Sequence, residues 1–417
     1  MDYSTKIYKR KITDDIIQYL DERETIIIYG ARQTGKTSVL YWLRDYLSQK
    51  NKPVFYFDLE NIKYLNLFNQ GPEKIRSLLI ERGIDIKEIK GKIYILIDEI
   101  QYLDNPTNFI KLISDHYPQF RLIVSGSSTL EIKKQFRESL VGRTITFELF
   151  GLDFEEFLIF KEYHSPLFPI KTEIKINELA DLFKEFVLFG GYPRVAQIKE
   201  RKKKERYLWQ IISTYLKKDI RDIAQVRNVD KFNKLVEVLA SQSGKMLNIK
   251  EISNTCGLSI PTVEDYLFYL ENTFIIRLVR PFARNLRSEL FKTPKIYFYD
   301  SGLANLLWLK VIPEEILGEI FETAIFSELV KNFGRESIFY WRTKDKKEID
   351  FILRRGNLVL PIEAKINFSS FSPKNIEFFV RKYCLKKFYC LGLRGEKKSK
   401  KCIYPWEIFG EKFFSGD

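Results

Sequence analysis

The rhythm of apolar and polar positions changes along the chain. Over residues 1–150 short apolar runs, Thr25–Tyr29, Val54–Leu59, Ile93–Ile97 and Arg121–Ser125, alternate with amphipathic stretches. Each run is rich in β-branched or aromatic residues and bounded by turn or helical sequence, which predicts buried parallel strands in an α/β layer. Over 151–228 the period becomes helical, in FEEFLIFKEY, NELADLFKEFVLFG and RYLWQIISTYLKKDI. Over 229–293, LNIKEISNTCGLSIPTVEDYLFYLENT has helix-turn-helix spacing. Ile249 and Ile252 pack one helix, Gly257 makes the turn, and Ser259 or Pro261 opens a second helix with an apolar face of Val263, Tyr266, Leu267 and Leu270. FIIRLVRPF then reads as a wing strand. From Pro294 to residue 417 strands return, as KIYFYD, SIFYWR, EIDFILRRG and LVLPIEAK.

Composition narrows this picture. The chain has 417 residues, 45% apolar and 15% aromatic, enough to bury large cores and to exclude a mostly disordered protein. Four Cys without a CxxC pair and two His exclude a disulfide framework, a zinc ribbon and a His-built metal centre. The charged start has no apolar signal core, and no stretch of about 18 apolar residues appears, so a soluble cytoplasmic protein without a membrane partner is expected. A formal charge of +14 points to an anionic partner without naming one.

The chemistry begins where the strand TIIIY enters GARQTGKTS. Gly30, Gly35, Lys36 and Thr37 match G-x-x-x-x-G-K-[ST] between an apolar strand and an amphipathic helix, the context that motif needs. Its glycines let successive amides of Gly30, Ala31, Arg32, Gln33, Thr34, Gly35 and Ser38 turn toward phosphate oxygens, beside the positive end of the helix. Lys36 would reach the β and γ phosphates of ATP, and Thr37 would offer its hydroxyl to Mg²⁺. KIYILIDEIQ ends in Asp98, placed to hold Mg²⁺ as a Walker-B carboxylate does, and Glu99, placed to polarise the attacking water. In RLIVSGSS, Ser125, Ser127 or Ser128 could sense the γ-phosphate. Arg143 is an arginine-finger candidate, and Arg194, in GGYPR, could instead act as a sensor-2 residue.

With GARQTGKTS, ILIDEIQ, SGSS, LVGRTITFELFGLDFEEF, FGGYPR, TPKIYFYDSGLA and EIDFIL, the sequence resembles the archaeal-type AAA+ ATPases that carry an uncharacterised C-terminal domain. The resemblance implies an additional-strand P-loop core with a helical lid, so the chain divides into that core (1–150), the lid (151–228), the winged helix read from the helix-turn-helix spacing (229–293) and a C-terminal domain (294–417).

That last domain holds a second constellation. Glu322 lies in an amphipathic helix, Asp350 in the strand EIDFIL, and Glu363 and Lys365 on one face of the next strand, joined through RRGN by a hairpin. The set resembles the PD-(D/E)xK nuclease core. Asp350 and Glu363 would bind Mg²⁺, Glu322 would complete the shell, and Lys365 would orient or activate the attacking water. A surviving carboxylate set can also serve structure or DNA binding alone. The helix at Glu264 and Asp265 carries no Lys or Arg and argues against base reading. Arg277, Arg280, Arg284 and Arg287 remain as nonspecific backbone contacts. Basic runs lie at Lys199–Arg206 and Arg381–Lys401, the second interleaved with Tyr383, Phe388 and Tyr389 and read as a phosphate-backbone track. The function expected is an ATP-hydrolysing protein that couples turnover to DNA binding or processing. The alternative is a slow ATPase switch acting on a protein partner, with a non-catalytic C-terminal domain. A homo-oligomer in which Arg143 acts on a neighbouring subunit fits either.

Overall fold

The computed structural model describes residues 6–84, 89, 91–126, 140, 142–168, 172–214, 224, 226, 228–283, 293–397, 399–410 and 413. The chain divides into two compact units, 1–150 and 151–417, each described by itself.

The first unit is a five-stranded parallel sheet in the order β2-β3-β4-β1-β5, with β1 Thr25–Tyr29, β2 Val54–Asp58, β3 Ile93–Asp98, β4 Phe120–Gly126 and β5 Thr144–Glu148. Three of the four apolar runs occupy the inner positions, and the fourth, Val54–Asp58, forms one edge. Every residue of β1 and β3 is buried, as a strand covered on both faces requires. β5, an outer strand of half-exposed TITFE, has no such run and was not anticipated. The helix α1, Lys36–Gln49, buries Val39, Leu40, Leu43 and Leu47 against Ile26, Ile28, Leu96 and Ile123.

The second unit opens with helices Phe154–Phe160, Glu173–Phe189, Pro193–Gln197, Arg201–Ile211 and Val229–Ser241. Next come α2, Ile249–Cys256, and α3, Ile260–Asn272. Gly257 ends α2 at φ 61°, and Ser259 caps α3 by accepting from the Thr262 amide, so the turn forms where glycine and serine place it. β6, Ile276–Val279, pairs antiparallel with β7, Lys295–Phe298. Arg284 and Arg287 lie outside the described residues.

A second five-stranded sheet has the order β12-β11-β10-β9-β8, from β8 Ile338–Arg342, β9 Glu348–Arg355, β10 Leu358–Asn367, β11 Tyr389–Arg394 and β12 Cys402–Ile403. β8, β9 and β10 run antiparallel, with Arg355 opposite Leu358 across the expected RRGN turn; β11 and β12 continue parallel to β10. On one face Phe351 packs toward Phe326 of α4, Gly318–Phe333, and on the other Ile352 joins Ile376 and Phe379 of α5, Lys374–Tyr383.

Two of the motifs that carry the resemblance meet in this unit. The Asp300 carboxylate accepts from the amides of Gly191 (2.8 Å) and Leu303 (2.9 Å), capping the helix Ser301–Leu309. Gly190 sits at φ 76°, where an added Cβ would fall 2.1 Å from Asp300 Oδ1. FGGYPR and YDSGLA are therefore two halves of one packed junction. The Lys199–Arg206 run is also partly structural. Lys204 is buried and ion-paired with Glu185, and Arg201 donates to the Ile312 and Pro313 carbonyls.

Candidate functional site

The nucleotide motif is built at the C-terminal edge of the first sheet. Gly30 leaves β1 where an added Cβ would meet the Leu149 carbonyl oxygen at 2.0 Å, so only glycine admits the neighbouring chain. Gln33 (φ 61°) and Gly35 (φ 97°) give the loop its left-handed turns, and Lys36 and Thr37 open α1. The Lys36 ammonium folds back over the loop to the carbonyls of Ala31 (2.8 Å) and Gly30 (3.3 Å). Burial lowers its pKa to about 8, against the pull of Glu99 and Asp98.

Asp98 and Asp58 stand side by side at the tips of β3 and β2. Asp98 is buried and accepts from the Thr37, Ser125 and Tyr56 hydroxyls, the last at 3.0 Å. Burial raises its pKa, and those hydroxyls act the other way. Glu99 takes a left-handed backbone (φ 57°) and is half-buried; its amide donates to Ser125 Oγ at 3.1 Å and its carboxylate accepts from Gln101. Asp58, Glu60, Asp98 and Glu99 form an acidic rim opposite Lys36 and Arg32, and burial with the neighbouring carboxylates raises Glu60. Thr37 and Asp98, joined by a hydrogen bond, are the hydroxyl and carboxylate oxygens that suit Mg²⁺ held together with phosphates.

Of the serine candidates, Ser125 is fully buried, donates to Asp98 and accepts from the Glu99 amide. Ser127 and Ser128 lie outside the described residues. Arg143 stands just before β5, where its carbonyl accepts from the Thr25 amide, at the end of the sheet opposite the P-loop. It pairs with Asp115 (3.1 Å) and is not brought to the P-loop of its own chain. Arg194 is exposed in the second unit. Sequence reasoning missed Tyr56, and also Arg10, which is buried and donates to the Thr34 carbonyl at 2.8 Å behind the loop. Nothing in the local pattern sets Arg10 apart from its exposed basic neighbours.

The second constellation assembles around β10. Lys365 Nζ lies 3.1 Å from Asp350 and 3.0 Å from Glu363, and the Ala364 amide donates to Asp350 at 2.9 Å. Burial works against the Lys365 ammonium, but the two carboxylates outweigh it and hold its pKa above the ordinary value. Lys365 therefore stays charged, suited to orienting and neutralising but not to taking a proton. Glu363 is raised by burial and by Asp350, while Lys365 and Lys295 keep Asp350 low in spite of burial.

Glu322 has partners that the sequence did not suggest: it accepts from Tyr297 (2.5 Å) and pairs with Lys295 (3.4 Å), which also pairs with Glu348 (2.6 Å). Burial and the Asp350 charge raise Glu322 to about 7. Among the described residues no three Asp, Glu, His or Cys side chains converge as a metal cage. Lys295, which β7 carries into the acidic cluster, was missed because KIYFYD reads as an ordinary strand.

The phosphate-track reading of Arg381–Lys401 changes as well. Phe388 is buried, Tyr383 packs on Phe379, and Tyr389 stacks on Phe413, so all three rings are engaged within this unit. Arg381, Lys382, Lys386, Arg394, Lys400 and Lys401 remain exposed. Arg277 pairs with Glu271 and Glu336, whereas Arg280 is exposed.

Residues 22–158 match the sequence family described as "AAA domain". Residues 180–315 and 317–406 match two families, each described as a domain of unknown function (DUF8612 and DUF4143). An uncharacterised protein of Methanocaldococcus jannaschii is 27% identical over 353 residues, spanning 82% of this chain and 75% of its own length. One from Haemophilus influenzae is 26% identical over 367 residues, 86% of each. Among solved structures, the Walker-type ATPase of Pyrococcus abyssi aligns with a TM-score of 0.48 at 14% identity, over 72% of this chain and 96% of that one. The first unit, a parallel five-stranded sheet with a phosphate loop, matches a P-loop ATPase core, and the AAA-domain match falls on it.

Proposed function

We propose that the chain binds and hydrolyses ATP at Gly30–Ser38 and uses turnover to act on nucleic acid, DNA above all, through backbone contacts of its second unit. The observation that carries the nucleotide part is the convergence of Lys36, Thr37, Asp98 and Glu99 at one edge of the sheet. The P-loop amides and Lys36 bind and orient the phosphates. Thr37 and Asp98 would hold Mg²⁺, which would supply charge neutralisation at the phosphates. Glu99 orients the attacking water and draws its proton. Ser125 keeps both acids in place. Arg143, facing away from its own loop, acts only if a second copy presents a site to it.

In the second unit we read 229–293 as a winged helix and 294–417 as nuclease-like. Its exposed cations support phosphate binding, and the charged Lys365 between Asp350 and Glu363 supports an electrostatic role. Purified protein should hydrolyse ATP, Lys36→Ala should abolish nucleotide binding, and Glu99→Gln should bind ATP without turning it over. Wild-type turnover by both variants would refute the assignment. A cleavage assay on single-stranded, duplex and branched DNA, with and without Mg²⁺ and ATP, tests the second unit. Cleavage unchanged in Lys365→Ala would remove that residue from it.

A second reading is favoured by the acidic, apolar surface of α3: a slow nucleotide switch that engages a protein partner, with the C-terminal domain non-catalytic.

A further inference from the structure

A groove of about 1050 Å³ opens between the start of α2, the side of α3, and β6. It exceeds the ~300–1,000 Å³ of ordinary small-molecule sites and is open rather than enclosed. Its apolar lining comes from Met246, Leu247, Leu267, Phe268 and Leu278. Phe268 is 55% exposed and Met246 37%, an uncommon exposure for large apolar side chains on neighbouring elements. The rim is acidic, with Glu251, Glu264 and Glu271. Glu271 is engaged by Arg277 (3.2 Å) and the Leu278 amide (3.1 Å). Glu251 and Glu264 are exposed and make no ion pair among the described residues.

Two features of this surface select its occupant. Carboxylates around the mouth repel phosphate, so a nucleic-acid backbone is disfavoured although the chain as a whole carries +14. Exposed apolar side chains ringed by like charge complement a segment with large apolar anchors flanked by cations. We propose that this groove docks a basic peptide segment of a protein partner, its apolar side chains on Phe268 and Met246 and its Lys or Arg residues on Glu251 and Glu264. The helix-turn-helix spacing of α2 and α3 thus presents an acidic peptide-binding face. The proposal rests on the switch reading above and supplies the chemistry of its partner.

The test selects a random twelve-residue peptide display library on the full chain without nucleotide, so it succeeds or fails independently of ATP binding. The expected winners are net positive and carry at least two large apolar residues. Synthesised with a fluorescein label, they should bind in anisotropy, at least tenfold more weakly to Phe268→Asp and to Glu264→Lys, while Phe268→Leu retains binding. Both weakened variants should keep wild-type ATP turnover, which certifies the fold. Acidic winners, no enrichment, or affinity unchanged in Glu264→Lys would overturn the proposal. So would displacement of the peptide by duplex DNA, or a dimer in sedimentation that Phe268→Asp dissolves, since each gives the groove to another occupant.

Discussion

Ser125 shows how one hydroxyl can organise an acid pair. It donates to Asp98 and accepts from the amide of Glu99, so it sets the angle between the expected metal carboxylate and the expected base. Ser125→Ala leaves that amide without its partner in a part-buried site and removes one donor from a buried carboxylate. ATP turnover should fall tenfold or more with ATP affinity changed less than threefold; equal loss in both would mean a general collapse of the loop. Lys295 plays the corresponding part in the second unit, its buried ammonium joining Glu322 to Glu348. Removing one partner of a buried ionic cluster costs about 3–5 kcal/mol because the other charge stays buried. Lys295→Met should therefore lower the urea midpoint strongly, and adding Glu322→Gln should restore part of it.

Whole elements depend on similar junctions. The helix Ser301–Leu309 begins on Asp300, which also holds the Gly190–Gly191 turn. Losing both bonds in Asp300→Ala should cost about 1–3 kcal/mol, read by chemical denaturation. Burial raises the Asp300 carboxyl above its unfolded value of 3.8, opposed by the Leu303 and Gly191 amides and by Lys331. The folded chain therefore keeps this proton to higher pH than the unfolded chain. Its contribution to stability is undiminished below about pH 4, falls as pH rises toward the folded pKa, and then levels off. Asp300→Asn should flatten that part of the stability–pH curve, and an unchanged slope would assign it to another group. The strands of the first sheet were legible from sequence because each inner strand is a short apolar run ended by turn residues. β5 and β11 were not. β5 is short and alternates polar with apolar residues in TITFE, and β11 hides its buried Cys390, Leu391 and Leu393 inside a run conspicuous for its cations.

Across the molecule, the +14 surplus acts through the cations that remain unburied. If Arg381, Lys382, Lys386 and Arg394 touch a phosphate backbone, changing them to Glu should weaken duplex DNA binding. The slope of log K against log salt should become shallower by about 0.9 for each phosphate that is no longer neutralised. An unchanged slope would move the binding surface elsewhere. The phosphate loop and its acidic strand end were readable from the order of residues alone, because a loop that wraps phosphate is a local object: adjacent amides, one lysine, one hydroxyl and a helix start. The hairpin joining Asp350 to Glu363 and Lys365 was readable for the same reason. Pairings between distant segments were not. Nothing in the linear order joins Arg10 to Thr34, Gly190 to Asp300, or Lys295 to Glu322, since each arises only when separate elements pack and bury charges that must then find partners. Folding also joined Glu322 to Tyr297, set the aromatics of Arg381–Lys401 against neighbouring rings, and gathered Met246, Phe268, Glu251 and Glu264 around one groove.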